Sequence, residues 1–265
     1  MDTAAERYGD RLFSHTHDDE AERLGALARA LDPVTFRRLE RFGLPEDARC
    51  LDIGSGAGTV AAWLALRCPK GEVVATDVDT RHFPPQERRR GWRAVEHDVT
   101  ADSFPEGSFD LVHARWVFSH HRDRDAVLAR VVRWLAPGGL LFIEDMAGFP
   151  LESSPHPLYR RVGLGMCETV ERRLGTDCAW ARTFPAPLRG LGLVQVGAEA
   201  TLPTVGPGPM GRFWRLTAEQ MAQDLHAVHG LTHGELAAFS ALVESPDFSD
   251  LCLADVAAWG RRPLH

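Results

Sequence analysis

Leu51-Asp52-Ile53-Gly54-Ser55-Gly56-Ala57-Gly58 combines a strand end, an acid and a glycine-rich turn, and its reading decides the fold. The apolar run 49–53 leaves a sheet, turns sharply and enters a helix over Thr59-Val60-Ala61-Ala62-Trp63-Leu64-Ala65-Leu66. Glycines admit positive φ and let a ligand come close to the backbone. The spacing G-x-G-x-G departs from the G-x-G-x-x-G of a dinucleotide fold, whose third glycine would fall at Thr59. Asp52 sets a carboxylate at the mouth of the turn, which repels a phosphate and suits a cationic amine. A second acid, Asp77, closes the next apolar run, Glu72-Val73-Val74-Ala75-Thr76, where it can accept hydrogen bonds from both hydroxyls of a ribose.

A nucleoside that carries an amino acid and no phosphate satisfies both acids, and S-adenosyl-L-methionine is such a molecule. The likeness extends to about residue 146. It takes in Val95-Glu96-His97-Asp98-Val99, the strand Phe109-Asp110-Leu111-Val112-His113-Ala114-Arg115, and the following Trp116-Val117-Phe118-Ser119-His120-His121. It closes with the turn Leu135-Ala136-Pro137-Gly138-Gly139 leading into Leu140-Leu141-Phe142-Ile143-Glu144-Asp145. In this ordered series the chain resembles the class I S-adenosylmethionine-dependent methyltransferases. The resemblance implies that Asp52, Gly54, Ser55, Gly56 and Gly58 lie against the methionine moiety. It places Asp77 at the ribose and Asp98 at the adenine amino group, with Val78 and Val99 also among the cofactor-binding residues. Arg115 is expected to touch the cofactor, by its guanidinium or its backbone. The product would be S-adenosyl-L-homocysteine.

Alternating apolar strands and helical runs over 47–146 indicate an α/β fold with a parallel sheet. The family's form of it is a Rossmann-like, seven-stranded, mostly parallel sheet with helices on both faces. Residues 1–45 read as an N-terminal helical cap of two helices, the second opened by Asp32-Pro33. Residues 46–150 form the cofactor-binding core. Residues 151–265 hold the rest of the sheet: a helix over 158–174, a sixth strand over 192–202 and a last strand over 251–259. Helical segments over 210–229 and 232–244 are inserted between those strands as a lid over the acceptor pocket, all within one structural domain.

The formal charge of −7 and a pI near 5.9 leave no basic stripe for nucleic acid. Glu87-Arg88-Arg89-Arg90 and Arg160-Arg161 read as solvated faces. Cys50, Cys68, Cys167, Cys178 and Cys252 are odd in number and widely spaced, as expected of reduced thiols in a cytoplasmic protein. No stretch reaches the roughly 18 apolar residues of a membrane span, and the N-terminus lacks an apolar leader. Lys70 is the only lysine, a bias that suggests a GC-rich bacterial genome. Oligomeric state is not legible, a homodimer being compatible.

Methyl transfer from a sulfonium is an in-line displacement that needs a positioned nucleophile and a dry site. A base is required only when the acceptor carries a proton. His120, after the fourth strand, is the candidate base, against a structural role beneath the cofactor. Trp116, Met210, Trp214 and His226 are candidates for an acceptor pocket, against simple core packing. Tyr8 and Phe13 are candidates to fold over the donor. The histidines at 226, 229 and 233 are not read as a metal site, because Gly230 and Gly234 interrupt the helix and no carboxylate completes a set. The expected activity is methyl transfer to the O, N or C atom of a small molecule, in bacterial secondary metabolism such as natural product biosynthesis. The alternative is an enzyme of the same fold that binds the cofactor but catalyses a non-methylating cyclisation or rearrangement. A nicotinamide dehydrogenase is disfavoured by the loop spacing and Asp52.

Overall fold

The computed structural model describes residues 6–265. The apolar runs become β1 (Cys50–Ile53), β2 (Val73–Asp77), β3 (Trp92–Glu96), β4 (Phe109–Arg115) and β5 (Leu135–Ala147). Later come β6 (Val194–Thr201), the short β7 (Thr204–Val205) and β8 (Asp250–Leu251), and β9 (Ala254–Arg261). The main sheet has the order β3-β2-β1-β4-β5-β9-β6, with β9 antiparallel to both of its neighbours and the other pairings parallel. Strands covered on both faces must be apolar throughout, which is why they read as continuous runs.

The helices are α1 (Glu20–Glu40), α2 (Thr59–Arg67), α3 (Arg124–Trp134), α4 (Phe149–Glu152), α5 (Pro157–Leu174), α6 (Ala186–Gly190), α7 (Pro209–Gln220), α8 (Ala222–His229) and α9 (His233–Val243). On one face of the sheet, Leu39 of α1 and Val60 and Leu64 of α2 pack with Leu111, Leu140 and Phe142. On the other, Leu128, Val131 and Trp134 of α3 pack with Leu51, Val112 and Leu141. Helices α5, α7, α8 and α9 share a separate core with part of α1, in which the Tyr159 ring lies 5.2 Å from Trp214 and 6.3 Å from Phe239.

Three local expectations are corrected. The cap is one helix: α1 runs through Pro33. A proline removes one hydrogen bond, but Ala26 and Leu31 before it and Thr35, Arg38 and Leu39 after it are all buried, so packing holds both halves in line. The segment 210–229 is two helices meeting at the buried Met221. The last strand starts at Ala254, because Asp250 and Leu251 pair instead with Thr204 and Val205.

Arg38 fastens α1 to the sheet. Its Nη1 donates to Glu144 of β5 at 2.5 Å and also to Asp255 of β9, while Nε reaches Glu199 at 3.0 Å. Arg38, Glu144 and Asp255 are each essentially inaccessible to solvent. Removing one partner of such a cluster strands the others in a low-dielectric interior. The Arg38→Ala variant should therefore lose about 3–5 kcal/mol of stability in urea unfolding; an unchanged midpoint would show that the cluster does not anchor the helix.

Candidate active site

The strand order reverses between β1 and β4, and a cavity of about 660 Å³ opens beyond their C-terminal ends. One arm of it is built by the glycine turn. Gly54, Gly56 and Gly58 have φ of 60°, 55° and 74°, in the left-handed region. At Gly54 a Cβ would stand 2.4 Å from Val117 Cγ2, so both the backbone and the space demand glycine there. Gly56 N donates to Asp77 Oδ2 at 2.9 Å, joining the turn to the end of β2. Burial raises the Asp77 carboxyl above its ordinary pKa, against the hydrogen bond from Gly56. Asp98 accepts from Thr100 N at 2.8 Å and pairs with Arg7 at 3.4 Å. Burial alone would raise its pKa, but the Thr100 hydrogen bonds and Arg7 outweigh it and hold the carboxyl low. Asp52, Ser55, Val78 and Val99 line the same arm.

Asp52 is not a free acid. Residues 52 and 113 are direct partners across β1 and β4, and His113 Nδ1 lies 2.7 Å from Asp52 Oδ1 while its Nε2 lies 3.4 Å from Glu144 Oε2. Ser55 donates to the other Asp52 oxygen. Burial disfavours a charged imidazole, yet the hydrogen bonds and charges of Asp52 and Glu144 overcome it and raise the His113 pKa to about 9. At Glu144 burial is likewise outweighed, by His113, Arg115 and Arg38, and its pKa falls to about 2. Thr35 Oγ1 donates to Glu144 at 2.6 Å, which brings α1 into the same group. Sequence reasoning missed Arg38, His113 and Glu144 as a functional set. The signal was available: His113 and Glu144 stand among buried apolar residues of β4 and β5, and such groups need partners.

The candidates from the sequence separate. Arg115 lines the cavity, but its guanidinium is held by Asp32 at 2.8 Å and Thr35 at 2.9 Å. Trp116 and Trp214 line the cavity, whereas Met210 and His226 do not. Met210 packs in the helical core. His226 Nδ1 bonds the Leu231 carbonyl oxygen at 2.8 Å, where α8 turns toward α9. Tyr8 and Phe13 line the cavity, as do His15 and His82.

His120 is in the cavity wall, and its surroundings argue against a base. Burial, reinforced by the charges of His121 and Arg23, pushes its pKa down to about 3. Its Nδ1 is 2.8 Å from the hydroxyl of Thr176, which is fully buried and has no other side-chain partner among the described residues. A buried hydroxyl proton without an acceptor is expensive, so Thr176 donates to Nδ1. The proton of the neutral ring then lies on Nε2. His120 presents an N–H donor.

Comparison with known proteins agrees with this geometry. Residues 51–143 match the methyltransferase domain family. Methyltransferase str3 of Strobilurus tenacellus is 33% identical over 132 residues, 49% of this chain and 46% of that protein, so the chain spans about half of that relative's length. The malonyl-[acyl-carrier protein] O-methyltransferase of Legionella pneumophila is 29% identical over 196 residues, 71% of this chain and 67% of that protein. Among solved structures, the phosphoethanolamine N-methyltransferase 2 of Haemonchus contortus in complex with S-adenosyl-L-methionine shares the fold, with a TM-score of 0.62 at 17% identity, covering 98% of this chain and 61% of that one. Over residues 51–143, the stretch that carries the glycine turn and the strand-end acids, the chain is similar to the methyltransferase domain of class I, S-adenosylmethionine-dependent enzymes.

The His113 contacts carry a pH signature. A pKa raised to about 9 in the folded state, against about 6.5 in the unfolded chain, gives stability that is complete below the unfolded value and lost as pH rises through the folded one. Wild-type protein should thus lose on the order of 3 kcal/mol between pH 6.5 and 9.5 from this group. His113→Gln should flatten that slope in urea titrations; parallel profiles would refute the assignment.

Proposed function

We propose that this protein transfers a methyl group from S-adenosyl-L-methionine to a small-molecule acceptor. The observation that carries the proposal is the pairing, in one cavity, of the glycine turn with Asp77 and Asp98 on one arm and an apolar wall from α5 and α7 on the other. The residues fit the cofactor. Asp77 and Asp98 retain carboxylate lone pairs for ribose hydroxyls and an adenine amino group. Asp52, already bonded to His113 and Ser55, offers a tempered negative potential to an ammonium. Held by the glycine turn, Asp77 and Asp98, the cofactor would supply a sulfonium methyl group for the acceptor and would be left as S-adenosyl-L-homocysteine.

The protein's own contribution is placement and dryness. Helices α5 and α7 wall the acceptor side, and Tyr8 and Phe13 add to the wall from the N-terminal segment. His120 orients rather than deprotonates. A small acceptor, rather than nucleic acid, is supported by the −7 charge. A place in bacterial secondary metabolism, in the cytoplasm, is supported by the arginine-over-lysine bias and by five free cysteines. No described helix is long and apolar enough to cross a membrane.

Calorimetry with S-adenosyl-L-methionine tests the reading, and absence of binding defeats it. The Asp77→Ala variant should bind about 5- to 150-fold more weakly, the scale of about 1–3 kcal/mol for unpaired polar partners; equal affinity would show that Asp77 does not hold the ribose. Product mass decides the reaction, since methylation adds one CH₂ and consumes the donor, whereas a rearrangement changes neither.

A further inference from the structure

The lid-side arm of the cavity differs in kind from the acidic arm. Its wall includes Met146, Met166, Val170, Phe213 and Trp214, and neither α5, α7 nor β5 adds a carboxylate to it. The polar atoms of these walls are committed elsewhere. Trp214 Nε1 donates to Cys252 Sγ at 3.0 Å, Thr217 Oγ1 to the Phe213 carbonyl at 2.7 Å, and Trp116 Nε1 to Asp255 at 3.1 Å. Arg23 is held twice by Glu20, at 2.7 and 2.8 Å, with its guanidinium over the Phe13 ring at 4.3 Å. A cationic acceptor would find no unpaired anion on this side.

Two polar groups that present hydrogens sit together beside this wall; the ring nitrogens of His15 and Nε2 of His82, which also line the cavity, have no partner among the described residues. Tyr8 Oη accepts from Arg23 Nη2 at 2.5 Å, and its own hydrogen has no acceptor among the described residues. The His120 ring lies 4.8 Å from the Tyr8 ring, and its Nε2 is the nitrogen that Thr176 leaves free. Both residues line the cavity. Arg23, behind Tyr8, polarises the phenol and strengthens its donation.

We propose that Tyr8 and His120 form a two-donor seat for one oxygen anion, and that the acceptor is an otherwise apolar, ring-sized molecule carrying a single acidic enol or phenol. The proposal rests on the methyl-transfer reading and gives it a substrate class. An acceptor that arrives ionised has no proton to lose, which accords with a His120 that donates rather than accepts. Burial lifts the Tyr8 pKa to about 12, so it remains a donor against such an anion. The apolar wall selects against cations and highly charged molecules by their desolvation cost.

The test is calorimetric binding of three probes of matched size to the full chain, with and without S-adenosyl-L-homocysteine. The probes are hydroxynaphthoquinone, a vinylogous acid ionised at neutral pH, its methoxy analogue, and naphthylmethylamine. Hydroxynaphthoquinone should bind at least about tenfold tighter than the methoxy analogue, and Tyr8→Phe and His120→Phe should each weaken it about tenfold while leaving the analogue unchanged, one charge-assisted hydrogen bond being worth that much. The amine binding as well as the acid, no probe binding, or both variants binding the acid like wild type would each overturn the proposal. Tyr8→Phe removes one hydroxyl and guards against a folding artefact at His120. Titration of S-adenosyl-L-methionine on the same samples reports separately on the parent reading: loss of that binding alone defeats methyl transfer, whatever the naphthoquinone result.

Discussion

Asp52, His113, Glu144 and Arg38 form one chain of charges buried beneath the glycine turn, and the placement of helix, sheet and cavity depends on that chain being complete. Each member would be costly to bury alone. Together they satisfy one another: both nitrogens of the His113 ring face a carboxylate, and Glu144 takes Arg38, Thr35 and His113 at once. Because the donors come from α1 and β4 and the acceptors from β1, β5 and β9, the cluster ties the cap to the sheet at the edge where the ligand cavity opens. Trp116 shares in it through Asp255 and adopts a φ of 56°, unusual for a large residue, immediately after β4. A rarely populated conformation of this kind persists only where its surroundings over-determine it.

The cavity divides its chemistry between two arms. Acids and glycines from the strand ends shape one arm, and methionines and aromatic rings from α5, α7 and the end of β5 shape the other. The acids belong to the sheet, whose central strands β1, β2, β4 and β5 are held between layers on both faces. The apolar wall belongs to helices that stand on their own core. Variation in those helices can alter what is accepted without disturbing the site beneath, the usual relation between scaffold and specificity-bearing segments.

Reading the residues in order recovered much of this. The turn, both following acids and the strand series are local patterns, and local sterics enforce them wherever the chain lies. The errors have a common origin. Asp32-Pro33 carries a genuine helix-start signal, but burial of Leu31, Thr35 and Leu39 on one face overrode it. Met210 and Trp214 share a helix face, yet only Trp214 reaches the cavity, a distinction made by where α7 meets α1 and α9.

What the sequence by itself determined is the strand-turn-helix that demands glycine, the acids at the following strand ends, and the alternation of apolar runs with helices, since each follows from backbone geometry and periodicity over a few residues. Only the tertiary structure decided which titratable groups are charged and which side chains face the ligand. His113 becomes a cation because Asp52 and Glu144, 61 and 31 residues away in the chain, close around it. His120 becomes a neutral donor because Thr176 arrives from beyond α5, burial strips its solvent and the nearby charges of His121 and Arg23 disfavour protonation. Protonation is set by distance and solvent access, and neither is written in any short stretch of sequence.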